Sequence, residues 1–353
     1  MKAAIYFGAQ DVRCEDIAVP EIEAHHEVLV KVIATSICGS DLHVYGGALE
    51  AIMEKGKSQT GHELIGTIVE CGNDVAKFKP GDRVTMGYSC SCGACHMCDL
   101  GQTAHCEKTQ NAVYGFGTAF GALNGTHAEY LRLPYADGHA MTVPEEISDA
   151  AAVTLSCNLP SAMIANQLAD IQPGDNVAIV GCGPTGLMAL EIARQRNPRC
   201  LVAFDRVLDR LQMAADRGAE IFNAEDAEHI NQSLTHTGDR GFDKVIEVVG
   251  SPQSLQAAID LVRPGGTIAA IGVFTTDTFN LNLADVFLRD ISLHMNGFAN
   301  VQPVMSEAMR LLQEKLINVD DMFTHEFRLG EIDKAYKTFH QQLDGASKVL
   351  IRP

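Results

Sequence analysis

Asn176-Val177-Ala178-Ile179-Val180-Gly181-Cys182-Gly183-Pro184-Thr185-Gly186-Leu187-Met188-Ala189-Leu190-Glu191-Ile192-Ala193-Arg194 decides the fold. Its first five residues form a short apolar run, the pattern of a buried strand. Gly181, Gly183 and Gly186 then fall at G-x-G-x-x-G spacing, and Leu187 to Arg194 read as a helix. A second apolar run, Cys200-Leu201-Val202-Ala203-Phe204, ends at Asp205. Strand, glycine turn, helix, strand and acid is the order of a dinucleotide site. The glycines let the backbone approach a pyrophosphate at the helix N-terminus, and the acid holds the adenosine ribose hydroxyls. Gly181, Gly183, Pro184, Thr185, Gly186 and Asp205 are therefore cofactor-binding candidates. A glycine turn alone would be an ordinary connection; the flanking strands and Asp205 decide for a dinucleotide. Arg206 and Arg210 could welcome the extra phosphate of NADP, but Asp205 would repel it, which favours NAD.

Downstream the alternation continues. Lys244 to Gly250 reads as a strand, and Pro252 to Val262 as a helix stopped by Pro264-Gly265-Gly266. Thr267 to Val273 reads as another strand, and Ile291 to Met295 as one more that closes the sheet. Such alternation predicts a doubly wound parallel sheet covered by helices, an α/β fold. Val249, Ile271 and Val273, at the ends of two of these strands, are further cofactor-contact candidates. The tail carries helical segments around Ser306 to Lys315 and Glu331 to Gln341, and ends in a strand at Lys348 to Ile351. The predicted boundaries are 153–295 for the dinucleotide domain and 1–152, completed by 296–353, for the other.

Upstream, Val28 to Ala34, Leu64 to Gly72 and a segment after Lys79-Pro80-Gly81-Asp82-Arg83-Val84 read as short strands between turns, suggesting a small, partly open barrel. Next comes a loop with Cys92, Cys95, Cys98 and Cys106 at C-x2-C-x2-C-x7-C spacing. Four thiolates so close can converge on one tetrahedral ion and leave no place for water, so a structural zinc is expected. Redox or incidental thiols are the competing reading, which a lone C-x2-C would have left open. Cys90 and His96 read as bystanders. Ser148-Asp149-Ala150-Ala151-Ala152 starts a capped helix expected to run through Leu155 and Cys157 and break near Pro160.

Composition sets outer limits. The chain has 353 residues, enough for two domains, and no apolar run long enough to cross a bilayer. Net charge is −18, which excludes clustered basic binding of nucleic acid or anionic membrane. Met1 to Gly8 reads as strand and turn rather than a secretory signal, so a cytoplasmic location is expected, and in a reducing cytoplasm the crowded cysteines read as a metal site rather than a disulfide frame.

One further stretch carries chemistry: Gln59-Thr60-Gly61-His62-Glu63-Leu64-Ile65-Gly66, preceded by Cys38, Ser40, Asp41 and His43. Gly61-His62-Glu63-x2-Gly66-x5-Gly72-x2-Val75 resembles the signature of the zinc-dependent medium-chain alcohol dehydrogenases. The four-cysteine loop and the nucleotide fingerprint follow in that family's order, so the resemblance covers nearly the whole chain. Ala150 to Leu187 and the ending Thr324-His325 to Pro353 look most like its secondary-alcohol and formaldehyde dehydrogenase branch. The resemblance implies a GroES-like catalytic domain interrupted by a Rossmann domain.

The likeness also implies roles. Cys38 and His62 match two catalytic zinc ligands, Cys157 falls where the third sits, and Glu63 matches a nearby carboxylate that in some members ligates zinc. Relatives in the branch often carry Asp at the Cys157 position, so a thiol there is a departure. Ser40 matches the proton-relay hydroxyl, His43 its outer base, and Asp41 the acid that orients His62. Tyr88 matches a substrate-pocket aromatic, and Arg210 also fits an adenosine-ribose contact. Gly39 stands where some members have Arg. The implied activity is reversible hydride transfer between NAD and an alcohol, with a secondary alcohol or diol favoured over a polyol or formaldehyde-type substrate. Two zinc ions per chain and a homo-tetramer or dimer are implied with it. A zinc-free quinone reductase of the same superfamily, or a non-catalytic zinc- and nucleotide-binding regulator, would lack the joint presence of Cys38, His62 and Glu63.

Overall fold

Val28–Ile37 is buried along almost its whole length, with only Lys31 exposed. The computed structural model, which describes residues 1–353, shows what surrounds it. The strand is central in a seven-stranded sheet ordered Phe323–Arg328, Lys348–Arg352, Val28–Ile37, Leu64–Cys71, Arg83–Met86, Ala140–Thr142, and Tyr130–Leu133 also pairs with it. Val30 lies opposite both Ile68 and Leu131. Val28, Val30, Val32, Leu64, Ile68, Val84, Met86, Leu131 and Leu133 form the core that this register brings together.

The same register gathers chemistry at one end of the sheet. Thr35 pairs antiparallel with Leu64, and Ile37 pairs antiparallel with Val349. Cys38 at the end of one strand therefore abuts His62-Glu63 at the start of the next and Lys348 at the start of the last.

Contacts group residues 1–160 with 300–353 as one compact unit and 161–299 as another. In the second unit, six strands lie parallel in the order Glu220–Asn223, Cys200–Asp205, Asn176–Val180, Phe242–Glu247, Val262–Ala270, Ser292–Met295. This is the doubly wound α/β sheet expected from the alternation. Helix Pro184–Arg194 is buried from Gly186 to Ala193, because a parallel sheet needs apolar cover on its faces. No helix is long and apolar enough to cross a membrane.

Two local readings differ. The helix expected from Ser148 through Cys157 is two helices, Asp149–Thr154 and Asn158–Ala169, with Cys157 in the turn between them. Pro160 does not break a helix; it lies in the first turn of the second one, where a missing N–H costs nothing. The strand expected from Thr267 starts at Val262, because Val262 pairs with Phe242 across a register shift and Arg263 donates to Asp243. The edge strand Glu220–Asn223 gave no sequence signal, being short and largely exposed.

Asp149 ties the first unit's sheet together. Ser148 caps its helix by accepting from the Ala151 N–H, while Asp149 accepts from Arg83 at 2.9 Å and from Arg352. Burial raises the Asp149 carboxyl pKa, but the Arg352 and Arg83 guanidinium groups outweigh it and hold it below 3.8. A depressed carboxylate stabilises above its unfolded pKa and loses that contribution as pH falls through the folded one. Asp149→Asn is expected to cost about 1–2 kcal/mol at pH 7, discounted for partial exposure. Thermal midpoints measured across pH should show the difference shrinking as pH falls below that value.

Candidate metal and nucleotide sites

Cys38, His62, Glu63 and Cys157 each offer one ligand atom, and these atoms all lie within 4.8 Å of one another. Gly61 makes the turn that delivers His62. Its φ is +92°, and a Cβ there would lie 2.5 Å from the His127 ring. His127 is itself fixed: Nε2 donates to the Ser36 carbonyl at 3.1 Å, leaving Nδ1 to accept from Thr60 at 3.0 Å and from Tyr336 at 3.3 Å. Asp41 orients His62 from behind, its Oδ1 lying 3.0 Å from Nδ1, while its Oδ2 accepts from the Cys38 N–H at 2.8 Å. The ring nitrogen turned to the cluster is thus Nε2, and the Ser40 hydroxyl lies 3.3 Å from it.

The electrostatics suit a cation. The Cys157 thiol pulls the Cys38 pKa well below the usual thiol range, and burial opposes this. Burial lowers the His62 pKa, but the Asp41 carboxylate and the Cys38 sulfur raise it further. Burial lifts Glu63 to about 7 against the pull of Lys348. Glu63 Oε2 accepts from Lys348 Nζ at 2.7 Å and from the Ser36 hydroxyl. Its Oε1 is buried and accepts nothing, an orphaned oxygen at the cluster. Two sulfurs, an imidazole nitrogen held from behind and a spare carboxylate oxygen are a donor set that fits zinc.

His43 lies half-buried on the same short helix as Ser40, Gly39–Tyr45, three residues further on. Burial lowers its pKa and the Cys38 sulfur raises it, with burial prevailing. The Tyr88 and Phe116 rings stand edge-on to the His62 ring, at centroid distances of 6.2 and 5.4 Å. Lys348, Ser36, Asn158 and Phe116 escaped the sequence reading. Asn158 donates to the Cys38 sulfur at 3.3 Å. Nothing local marks any of them, since their partners are far away in the chain.

Cys92, Cys95, Cys98 and Cys106 also place their sulfurs within 4.8 Å of one another. A tetrahedral ion with metal–sulfur bonds of about 2.3 Å puts sulfurs about 3.8 Å apart. The Cys95 sulfur lies 3.8 Å from Cys106 and 3.5 Å from Cys98. Backbone N–H groups point at the sulfurs, Cys92 to Cys106 and Ala94 to Cys92. The Cys98 N–H pulls Cys95 down to about 6. This cluster fits a closed zinc site. Cys90 stays outside it and donates to the Pro134 carbonyl.

In the second unit, Gly183 caps helix Pro184–Arg194 with Pro184 at its first turn, the position where proline fits best. A Cβ on Gly186 would lie 1.9 Å from the Gly181 carbonyl, so the turn closes tightly only with glycine there. Asp205 ends strand Cys200–Asp205 and accepts from the Cys182 and Val207 N–H groups at 2.7 and 2.9 Å. Arg206 is exposed, and a Cβ on Gly183 would lie 4.0 Å from the Arg210 guanidinium. Val249 is exposed and Ile271 and Val273 half-buried at the carboxyl ends of neighbouring strands. A glycine cradle at a helix N-terminus beside an acid fits a dinucleotide.

Known proteins resemble this chain in sequence and fold. A family model described as an alcohol dehydrogenase GroES-like domain matches residues 24–145, and one described as a zinc-binding dehydrogenase matches residues 184–314. A probable zinc-binding alcohol dehydrogenase of Mycobacterium tuberculosis is 36% identical over 353 residues, covering 100% of this chain and 89% of the relative. The structure of alcohol dehydrogenase TADH from Thermus sp. ATN1 superposes with a TM-score of 0.92 at 32% identity, covering 100% of this chain and 99% of that one. A structure from Sinorhizobium meliloti 1021 bound to NADP has a TM-score of 0.85 at 25% identity, covering 100% and 99%.

Proposed function

Because the chain belongs to the zinc-dependent medium-chain alcohol dehydrogenase family, and so is an NAD(P)-linked oxidoreductase on CH–OH donors, we propose that it uses NAD to oxidise secondary alcohols or small diols reversibly to the carbonyl. The observation that carries this reading is the open cluster: three donors, the orphaned Glu63 Oε1 and the Ser40 hydroxyl beside His62 Nε2.

Cys38, His62 and Cys157 would hold the zinc, with Glu63 as an occasional fourth donor. When bound, the metal supplies Lewis-acid polarisation of the alcohol oxygen. Ser40 accepts the alcohol proton, and His43, its pKa lowered by burial, passes it to solvent. Asp41 holds His62 in the tautomer that leaves Nε2 free. Tyr88 and Phe116 present apolar ring surface to the substrate carbons, which supports alcohols with apolar substituents over sugar alcohols. Held by the Gly181–Gly186 turn and Asp205, the dinucleotide would supply the hydride acceptor, so that alcohol and NAD+ would become carbonyl, NADH and a proton.

The Sinorhizobium protein binds NADP, but here the Asp205 carboxylate at the ribose position disfavours a 2′-phosphate, which supports NAD. Reduction of NAD and NADP against a panel of primary, secondary and polyhydric alcohols tests this. Faster NAD reduction with secondary alcohols or diols is expected, slowed in His43→Ala and partly restored there by small external bases. A preference for sugar alcohols or for NADP would refute the corresponding half.

A further inference from the structure

Glu247 is fully buried at the last position of strand Phe242–Glu247. Its Oε1 accepts from the Val249 and Gly250 N–H groups, each at 2.8 Å. Its carbonyl accepts from the Ile271 and Gly272 N–H groups at 2.9 and 3.3 Å. One residue therefore holds two loops, one leaving its own strand and one leaving Val262–Ala270.

These loops meet backbone to backbone. Gly250 has φ +81°, and a Cβ on it would lie 2.5 Å from the Val273 nitrogen; one on Gly272 would lie 2.1 Å from the Gly250 nitrogen. Val249 closes the other side, since a Cβ on Gly181 would lie 2.6 Å from its Cγ2. A small shift of the Glu247 carboxylate would thus move Val249 and the Gly272-Val273 backbone together.

Topology says what the loops face. The fingerprint turn follows Asn176–Val180, and the ribose acid ends Cys200–Asp205 on one side of it. Phe242–Glu247 and Val262–Ala270 lie on the other side. A dinucleotide stretches across the carboxyl ends of such strands, so its second half extends over these two loops. This step rests on the dinucleotide reading proposed above.

Stability does not explain the residue. Burial raises the carboxyl pKa against the Gly250 N–H, the nearby Ser254 hydroxyl and the Val249 N–H, and Oε2 accepts no well-formed hydrogen bond. A buried carboxylate with one oxygen unsatisfied is costly; an amide would serve both N–H groups at less cost, whereas an apolar side chain would orphan them. Costs of this kind are retained where geometry matters.

We infer that Glu247 is a positioning residue that sets the two loops receiving the nicotinamide half of the cofactor without touching the cofactor itself. Titration of the zinc-loaded full chain with NADH and with ADP-ribose, which lacks the nicotinamide, separates this from a structural role. In Glu247→Leu, NADH binding should weaken about tenfold while ADP-ribose binding changes less than about twofold. Glu247→Gln keeps the shape and an acceptor oxygen, so it keeps the experiment readable should the leucine variant fail to fold. It should show a smaller NADH-selective loss, about threefold, at a native-like thermal midpoint. Equal losses for both ligands, or no loss for either, would overturn the inference. A wild-type chain that binds neither ligand would overturn the dinucleotide reading itself, and this inference with it.

Discussion

Cys38→Ala and His62→Ala should each lose turnover by about a thousandfold or more, the loss of several kcal/mol of transition-state stabilisation. Each should also lose one zinc per chain while keeping the other. The reason lies in how few donors the open cluster has. Cys157 and Glu63 remain in either variant, but neither is held as His62 is by Asp41, and Glu63 Oε2 is already committed to Lys348 and Ser36. Asp41 also accepts from the Cys38 N–H, so the two ligands share one support and their losses should not add. Elemental analysis beside steady-state rates checks this. Either variant turning over at the wild-type rate with its metal count unchanged would remove these residues from the metal.

Cys106→Ser should separate stability from chemistry. The zinc of a closed site is bound with folding free energy, and its loss is expected to lower the thermal midpoint by on the order of 10 °C. The effect should spread beyond the loop because the segment preceding Cys106 is anchored elsewhere. Thr103 donates to Gln302 at 2.6 Å, the Ala104 N–H to Asn300 at 3.0 Å, and Gln302 to the Ser89 carbonyl at 2.6 Å. Below its midpoint the variant should keep one zinc and most of its turnover per folded chain. Scanning calorimetry with metal analysis reads both. An unchanged midpoint would mean that the four sulfurs hold no metal.

Much of this was legible because the chemistry is local. The glycine turn, the four cysteines and His62-Glu63 each sit within a short window, where spacing alone restricts what the side chains can do. Strand alternation in 176–273 gave the parallel sheet for the same reason. What could not be read comes from pairing across the chain. Lys348 begins the terminal strand, which carries no local mark of a site, yet the register of Val349 with Ile37 buries it against Glu63, 285 residues away. Ser36 meets Glu63 across 27 residues of chain, and Phe116 meets the His62 ring from a loop. Pro160 was misread because a proline that ends one helix and a proline that starts another have the same local signature; only the turn at Cys157 distinguishes them.

Stepwise zinc removal is the most direct test of the central claim. Dialysis of active enzyme against a chelator, with zinc and turnover followed together, starts from about two ions per chain. Turnover should fall in proportion to the loss of one of them, return when zinc is restored, and be independent of the ion that tracks the thermal midpoint. A chain that keeps full turnover after the Cys38–His62–Cys157 cluster has been stripped would contradict the account.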